Sequence, residues 1–390
     1  MSLRLAYLSQ GKLFFKHGDL TVRQIESQFG QEIIDRTLSL QQRREWKTRG
    51  REGTYFSGAM LWGINQNDPR ITHARITSVT PGSEEGKLYY ILETEAVGGL
   101  LLYDWQQDSE RRIFHKESFW VNDMDCHPED NTLICSRNFQ NGTANLARLK
   151  GYTLYEITEG DSVDAAPSWV LGSKQEIVFQ SAGVGRNASG YPIGLGPFCI
   201  EKIDLEKGKL TTLLEDPQFD FLLPHMTAAG DLYFIRRPYE DTSKSDYSFL
   251  NLITDMLLFP FRLIRAIFDF LNFMSHTFSK KGLTTAGGPK TEEEEQRTIL
   301  LRGKIIDAQK AMREAGNDKT APALVPNSWE LVWRQANGEE TVLAKGVVAF
   351  DLDSAGNLIY TNGSMVYSLD QNGQAQHLFK GKLIQDVVIV

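Results

Sequence analysis

The sequence predicts an all-β fold: a six-bladed β-propeller closed by its own N- and C-terminal strands, with a helical insertion in the fifth blade. Three observations predict it. A tight polar turn between two apolar, branched or aromatic strands recurs at Cys126 to Cys135, Ala166 to Phe179, Ala228 to Ile235 and Asp353 to Tyr360. Recurrence at about 40 to 50 residues is the signature of a solenoid, a propeller or an array. Finally, Gln385 to Val390 reads as one strand with no local partner, while Leu3 to Leu8, Lys12 to His17 and Leu20 to Glu26 read as three. Joining the two ends completes a four-stranded blade and pairs strand edges that would otherwise template aggregation.

The remaining elements follow in chain order, with alternation and branched or aromatic content as the guide. After the first three strands comes an insertion, 28–54, in which Ile33, Ile34, Leu38 and Leu40 hold a helix-like spacing ahead of a basic run from Arg43 to Arg51. It reads as a solvated helix end over one face of the ring, with an acidic partner or RNA as the sharper alternative. The second blade takes Ala74 to Ser78, Lys87 to Glu93, Gly99 to Asp104 and Glu110 to His115. The third takes Asn122 to His127, Thr132 to Arg137, Ala144 to Arg148 and Tyr152 to Thr158. The fourth, Asp164 to Glu215, contains a Gly-rich connection from Ser181 to Gly196 that reads as a mobile loop. The fifth begins with Phe219 to Met226 and Asp231 to Arg236 and resumes only at Trp329 to Arg334 and Glu340 to Lys345; the sixth is compact, Val348 to Lys380. The whole chain, 1–390, is therefore one domain.

The strings from Ala166 to Ser181 and from Cys126 to Ser136, echoed at Thr227 to Pro238 and Asp353 to Gly363, resemble the TolB-type, WD-like propeller repeats. In that family a Pro-x-Trp-Ser-Pro-Asp-Gly stretch precedes an Ile-x-Phe strand; here Pro167, Trp169, Ile177 and Phe179 match, while Val170, Leu171, Gly172 and Ser173 replace the second Pro and the Asp-Gly. The resemblance covers about five of the six repeats and implies a scaffold without one shared chemistry.

The insertion in the fifth blade spans 238–326 and is read as an amphipathic helix, 248–277, and a charged helix, 291–315. The first is densely apolar, yet Asn251, Asp255, Arg262, Arg265, Asp269 and Asn272 recur at helical spacings along one stripe. Two Arg and two Asp within a spanning segment would each cost about 2.5 to 3.5 kcal/mol, which disfavours a membrane span. The apolar face, including Phe259, Phe261, Ile264, Phe268 and Leu271, must still be covered: by the ring or the second helix, by a partner protein, or by a membrane surface. Pro260 is expected to kink or split it. In the second helix Leu301, Ile305, Ala308 and Met312 line one face, and Glu292 to Glu295 suit its start, where carboxylates meet the positive end of the dipole.

Composition narrows the function. A net charge of -8 argues against nucleic acid as a partner. Met1 to Tyr7 runs straight into a strand pattern without the apolar core of an export signal, and Cys126, Cys135 and Cys199 form no Cys-x-x-Cys pair, so reduced thiols in the cytoplasm are expected. No Gly-x-Ser-x-Gly elbow occurs, and the seven histidines stand singly, without metal-ligand spacing. No catalytic residue, cofactor or metal site is assigned. Asp351 to Asn357 resembles the opening of a calcium loop but lacks the closing Glu and reads as the repeated turn; Asp123 and Asp125 fall where one side chain would tie adjacent blades together. Gly183 to Tyr191 lacks the Gly-Lys-Ser/Thr ending of a phosphate loop, and Arg186, Asn187 and Tyr191 are its candidate binding residues. The reading that results is a non-catalytic scaffold for protein partners in a multiprotein complex. Its rivals are a propeller hydrolase or lactonase with a channel site, and a peripheral membrane protein held through 248–277.

Overall fold

A computed structural model describes residues 3–18, 21–36, 39, 74–94, 97–240, 298–302, 304–307, 322–370 and 373–390. The strands in chain order begin with β1 (Arg4–Ser9), β2 (Lys12–His17) and β3 (Arg23–Ile25), then β4 (Arg75–Pro81), β5 (Lys87–Glu93), β6 (Val97–Asp104) and β7 (Ser109–Glu117). There follow β8 (Trp120–Cys126), β9 (Leu133–Asn138), β10 (Ala144–Lys150) and β11 (Thr153–Glu156), and β12 (Ser162–Trp169), β13 (Glu176–Arg186), β14 (Pro192–Leu195), β15 (Cys199–Asp204) and β16 (Lys209–Leu214). The last group is β17 (Phe219–Met226), β18 (Leu232–Pro238), β19 (Thr298–Leu301), β20 (Lys304–Asp307), β21 (Glu330–Arg334), β22 (Glu340–Lys345), β23 (Ala349–Leu352), β24 (Leu358–Thr361), β25 (Met365–Leu369), β26 (Ala375–Lys380) and β27 (Ile384–Ile389).

They pair as antiparallel four-stranded units: β27-β1-β2-β3, β4 to β7, β8 to β11, β12-β13-β15-β16, β17-β18-β21-β22, and β23 to β26. The third and fourth units share one parallel bridge, Ala144 to Val163, and so count as one nine-stranded sheet. The two chain ends meet in one sheet, with Leu5 opposite Ile389 and Leu8 opposite Asp386.

The alternation of side chains along a strand explains why these inner strands are apolar on both faces. Leu5 and Tyr7 point into a core shared with Ile359, Val366 and Phe379, whereas Ala6 and Leu8 point into another shared with Val79, Leu88 and Tyr90. The same division repeats around the molecule. Ile91 and Leu100 meet Val121 and Leu133; Ile134 meets Trp169 and Ile177; Ile200 meets Phe221 and Phe234; Leu222 and Ile235 meet Val348 and Phe350. Each sheet is thus sandwiched between two neighbours, and each fully buried aliphatic side chain contributes about 1.5 to 3 kcal/mol. The innermost strands pack in sequence, β4 on β8, β8 on β12, β12 on β17, β17 on β23, β23 on β27 and β27 on β4. At the opposite edge the outermost strand β7 is mostly exposed and charged, which blunts edge-to-edge pairing.

Three differences from the sequence reading have physical causes. Residues 298–307, read as part of a charged helix over 291–315, form the β19–β20 hairpin, with Ile299 opposite Ile306 and Leu301 opposite Lys304; paired branched residues on either side of a two-residue turn outweigh the i, i+4, i+7 pattern of Leu301, Ile305 and Ala308. Residues 181–196, read as a loop, contain a strand hairpin: β13 continues to Arg186 and is paired by β14, Gly185 facing Gly194. Helix is present at 28–36, where the Ser27 hydroxyl accepts the Gly30 amide at 3.0 Å as a cap, but Leu38, Leu40 and the basic run from Arg43 lie outside the described residues. The amphipathic segment 248–277 lies outside them as well. Among the described residues no helix is long and apolar enough to cross a membrane.

Candidate functional site

The six innermost strands enclose a cavity of about 410 Å³, and every one of them contributes to its wall. Six carboxylates line it, Asp123 and Asp125 from β8, Glu129 after that strand, Asp351 from β23, Asp353 after it, and Asp386 from β27, with one guanidinium, Arg302, from the turn of the β19–β20 hairpin.

The carboxylates hold the sheets to one another. Asp125 accepts the Trp169 amide of the next inner strand at 2.8 Å and its neighbour's own amide, Cys126, at 2.8 Å. Asp351 does the same halfway round the wall, accepting the Ile389 amide at 2.7 Å. Uncharged side chains continue the scheme: Ser78 accepts from Met124 N at 3.0 Å, Thr80 from Cys126 N at 3.2 Å, and Gln180 from Leu223 N at 2.8 Å. Each inner strand is the edge of its four-stranded unit, so alternate amides point away from the ladder, and register shifts free others, as between Leu222 and His225, where Leu223 adopts φ 53° just before Pro224. A bulge removes an amide from the ladder, and a neighbouring side chain takes it up.

Burial in a confined wall sets the titration of these acids. Burial pushes the Asp125 carboxyl up to about 6. Burial, reinforced by the charges of Asp125 and Asp386, pushes Asp351 up to about 7. Asp386 is also raised by burial, against the opposing pull of Arg302. His225 is pushed down to about 4 by burial and is neutral at physiological pH. Its Nδ1 lies 3.4 Å from the Ser168 hydroxyl and its ring tilts on Phe350 at 5.1 Å. Among the described residues no carboxylate bonds that ring, so Ser168 and His225 lack the orienting acid of a nucleophilic triad. His127 packs edge-on against Trp169 at 4.9 Å; its Nδ1 accepts the Glu129 amide, with Asp130 3.5 Å away, and its Nε2 lies 3.2 Å from Ser173 O, contacts of a structural kind.

No grouping of His, Cys, Asp or Glu able to hold a metal is found among the described residues. Burial raises all three thiols, Cys135 up to about 12 and Cys199 up to about 11, which leaves them poor nucleophiles.

The candidates from sequence are distributed elsewhere. Arg186 forks onto Asp161 with Nε 2.8 Å from both oxygens and donates to Asn141 O and Gly190 O, so it fastens the β13–β14 hairpin. The Asn187 side chain accepts the Ser189 and Tyr191 amides at 3.0 Å and shapes the same turn. Tyr191 is 70% exposed, beside the exposed Ile193. Phe259, Phe261, Ile264, Phe268 and Leu271 lie outside the described residues. Asp125 ties adjacent sheets as its position suggested. Asp353 caps an ordinary turn, accepting the Ala355 and Asn357 amides at 2.9 and 2.8 Å. Arg302 and Asp386 were not singled out from sequence. The signal for Arg302 was present in the apolar pairs Leu300-Leu301 and Ile305-Ile306 flanking an Arg-Gly turn.

Successive four-stranded antiparallel sheets set around a common channel define a β-propeller. Comparison with solved structures gives that class a TolB-like form. The chain is similar to TolB from Acinetobacter baumannii, with a TM-score of 0.51 and 10% identity over 100% of this chain and 66% of that one. It is similar to a chain of the nidogen/laminin complex at a TM-score of 0.50 and 8% identity, covering 99% of this chain and 97% of the other. A putative TolB from Agrobacterium tumefaciens aligns over 80% of this chain and 85% of its own at 13% identity and a TM-score of 0.43. At such identities the likeness is one of fold. No family model and no curated protein matches the sequence. The chain has a TolB-like β-propeller fold.

Proposed function

We propose that this is a six-bladed propeller, closed by β27 pairing with β1, that acts as a non-catalytic scaffold for protein partners, with the insertion between β18 and β21 as its partner-specific element. The observation that carries the reading is the use of the channel wall: Asp125, Asp351 and Thr80 are spent on backbone amides of neighbouring sheets, while the β13–β14 hairpin presents Tyr191 and Ile193 to solvent. A rigid ring with exposed aromatic tips binds at little ordering cost. The three free thiols suit a reducing compartment, and we place the protein in the cytoplasm.

The test is isolation of the tagged protein from its native cells in mild detergent, beside a version with 243–322 replaced by a short Gly-Ser linker and a Tyr191→Ser variant. Specific partners are expected with the full chain and reduced with both variants while each stays folded. Absence of any specific partner from the full chain overturns the scaffold reading. The hydrolase alternative rests on the Ser168 and His225 contact; a Ser168→Ala variant that loses ester or lactone hydrolysis shown by the parent would establish it instead.

A further inference from the structure

The β19–β20 hairpin arises from the insertion, yet its turn stands at the channel rather than away from it. Arg302 donates from one terminal nitrogen to Asp123 at 3.0 Å and from the other to Asp386 at 3.1 Å, with a longer contact to Gln385 O at 3.4 Å. Asp123 belongs to β8 and Asp386 to β27, and β4 lies between those strands in the packing order, so one planar fork spans two sheets that do not adjoin. A second anchor holds the turn from the other side. Arg237, itself only 3% exposed, is paired with Asp220 through Nε at 2.9 Å and stacked over Trp329 at 4.7 Å, and one of its terminal nitrogens donates to the Arg302 carbonyl at 3.1 Å. Arg302 takes φ 45°, a left-handed conformation that a turn fixes and a side chain resists.

The charge balance around this fork is uneven. Asp123, Asp125, Asp351 and Asp386 line the same cavity, and Arg302 is the only Lys or Arg on its wall among the described residues. A planar guanidinium bridging two carboxylates is geometrically specific, since an ammonium supplies a point charge without the fork.

We propose that Asp123 and Asp386 form a guanidinium-binding site at the channel, filled in this chain by its own Arg302, and that the site accepts an arginine side chain offered by another polypeptide when Arg302 is withdrawn. The occupant is an arginine because the two acceptors lie within reach of the two terminal nitrogens of one fork. The inference does not depend on the scaffold reading: a cation site in the channel would exist in a propeller of any function.

The test uses the full chain and methylguanidinium as the probe, with binding followed by calorimetry and by the fluorescence of Trp169, which lines the cavity. Arg302→Ala is expected to bind methylguanidinium saturably, while the parent shows at least tenfold weaker uptake because the site is filled. Adding Asp386→Asn to Arg302→Ala is expected to weaken the probe at least tenfold, and methylammonium is expected to bind less well than methylguanidinium. Equal uptake by the parent and Arg302→Ala, or uptake indifferent to Asp386→Asn, overturns the proposal. If Arg302→Ala fails to fold, Arg302→Gln, which keeps a polar side chain without the charge, supplies the same reading: it must take up methylguanidinium better than the parent, and failure to do so overturns the site.

Discussion

At the scale of single residues, two positions carry consequences out of proportion to their size. Gly98 in β6 passes so close to the Phe119 carbonyl that an added Cβ would lie inside the oxygen's van der Waals radius. The obstacle is backbone, which cannot rotate away. Gly98→Ala is expected to cost about 3 kcal/mol or more, measured by urea unfolding with the slope unchanged. Asp351 illustrates the opposite liability, a group that folding forces toward its neutral form. Its carboxyl titrates about 7 in the folded protein against 3.8 as a free side chain, so below about pH 4 both states are protonated and no stability is lost. As pH rises from 4 to 7 the unfolded chain releases a proton that the folded chain retains, and stability falls, with the full loss present above 7. Asp351→Asn keeps an amide-accepting oxygen without the charge. Its melting temperature relative to the parent is therefore expected to rise between pH 4.5 and pH 8, by an amount corresponding to about 1 kcal/mol or more. A constant difference across that range would show that Asp351 does not carry the raised titration.

At the scale of elements, the instructive case is the β13–β14 hairpin. Gly183, Gly185, Gly190 and Gly194 make the segment read as a loop, because glycine weakens strands in isolation. The strand exists because Arg186 closes it: the guanidinium fork on Asp161 and the bonds to Asn141 O and Gly190 O join the hairpin to the preceding sheet. Arg186→Ala is expected to leave the global melting temperature within about 1 °C, since the pair is solvent-accessible and such pairs contribute about 0 to 1 kcal/mol. The same change is expected to speed proteolytic nicking between 186 and 195 severalfold, read by mass spectrometry of limited digests. The hairpin β19–β20 failed to be legible for a related reason. Four-residue strands carry too little pattern to compete with a helical period that happens to fit the same apolar residues, and its placement depends on Arg237 and Asp386, far away in sequence. Inner strands were legible because both of their faces are buried against neighbouring sheets, so the apolar content is high and continuous. The interlocking role of Asp125 was legible from its place in the repeat; that of Asp351 was obscured by the turn that follows it.

At the scale of the molecule, the proposed closure turns on β27, which packs against the first and last sheets together. Ile384 and Val387 sit in the core shared with β24 and β25, while Val388 sits in the core shared with β4 and β5. The Ile389 amide is held by Asp351, the Asp386 carboxylate by Arg302, and the Val390 amide by Arg4 O at 3.0 Å. Removing residues 384–390 would therefore strip three fully or nearly fully buried aliphatic side chains, leave β1 as an uncovered inner edge, and expose two inter-sheet cores at once. The expected outcome is loss of the whole fold: no cooperative thermal transition, rapid digestion across all six units and aggregation on gel filtration, against a single transition for the parent. If the truncated chain instead kept β4 to β26 protected in hydrogen exchange and frayed only at β1 to β3, the sheets would be stable in an open array, and pairing of the two ends would be a local convenience rather than the contact on which the other sheets depend.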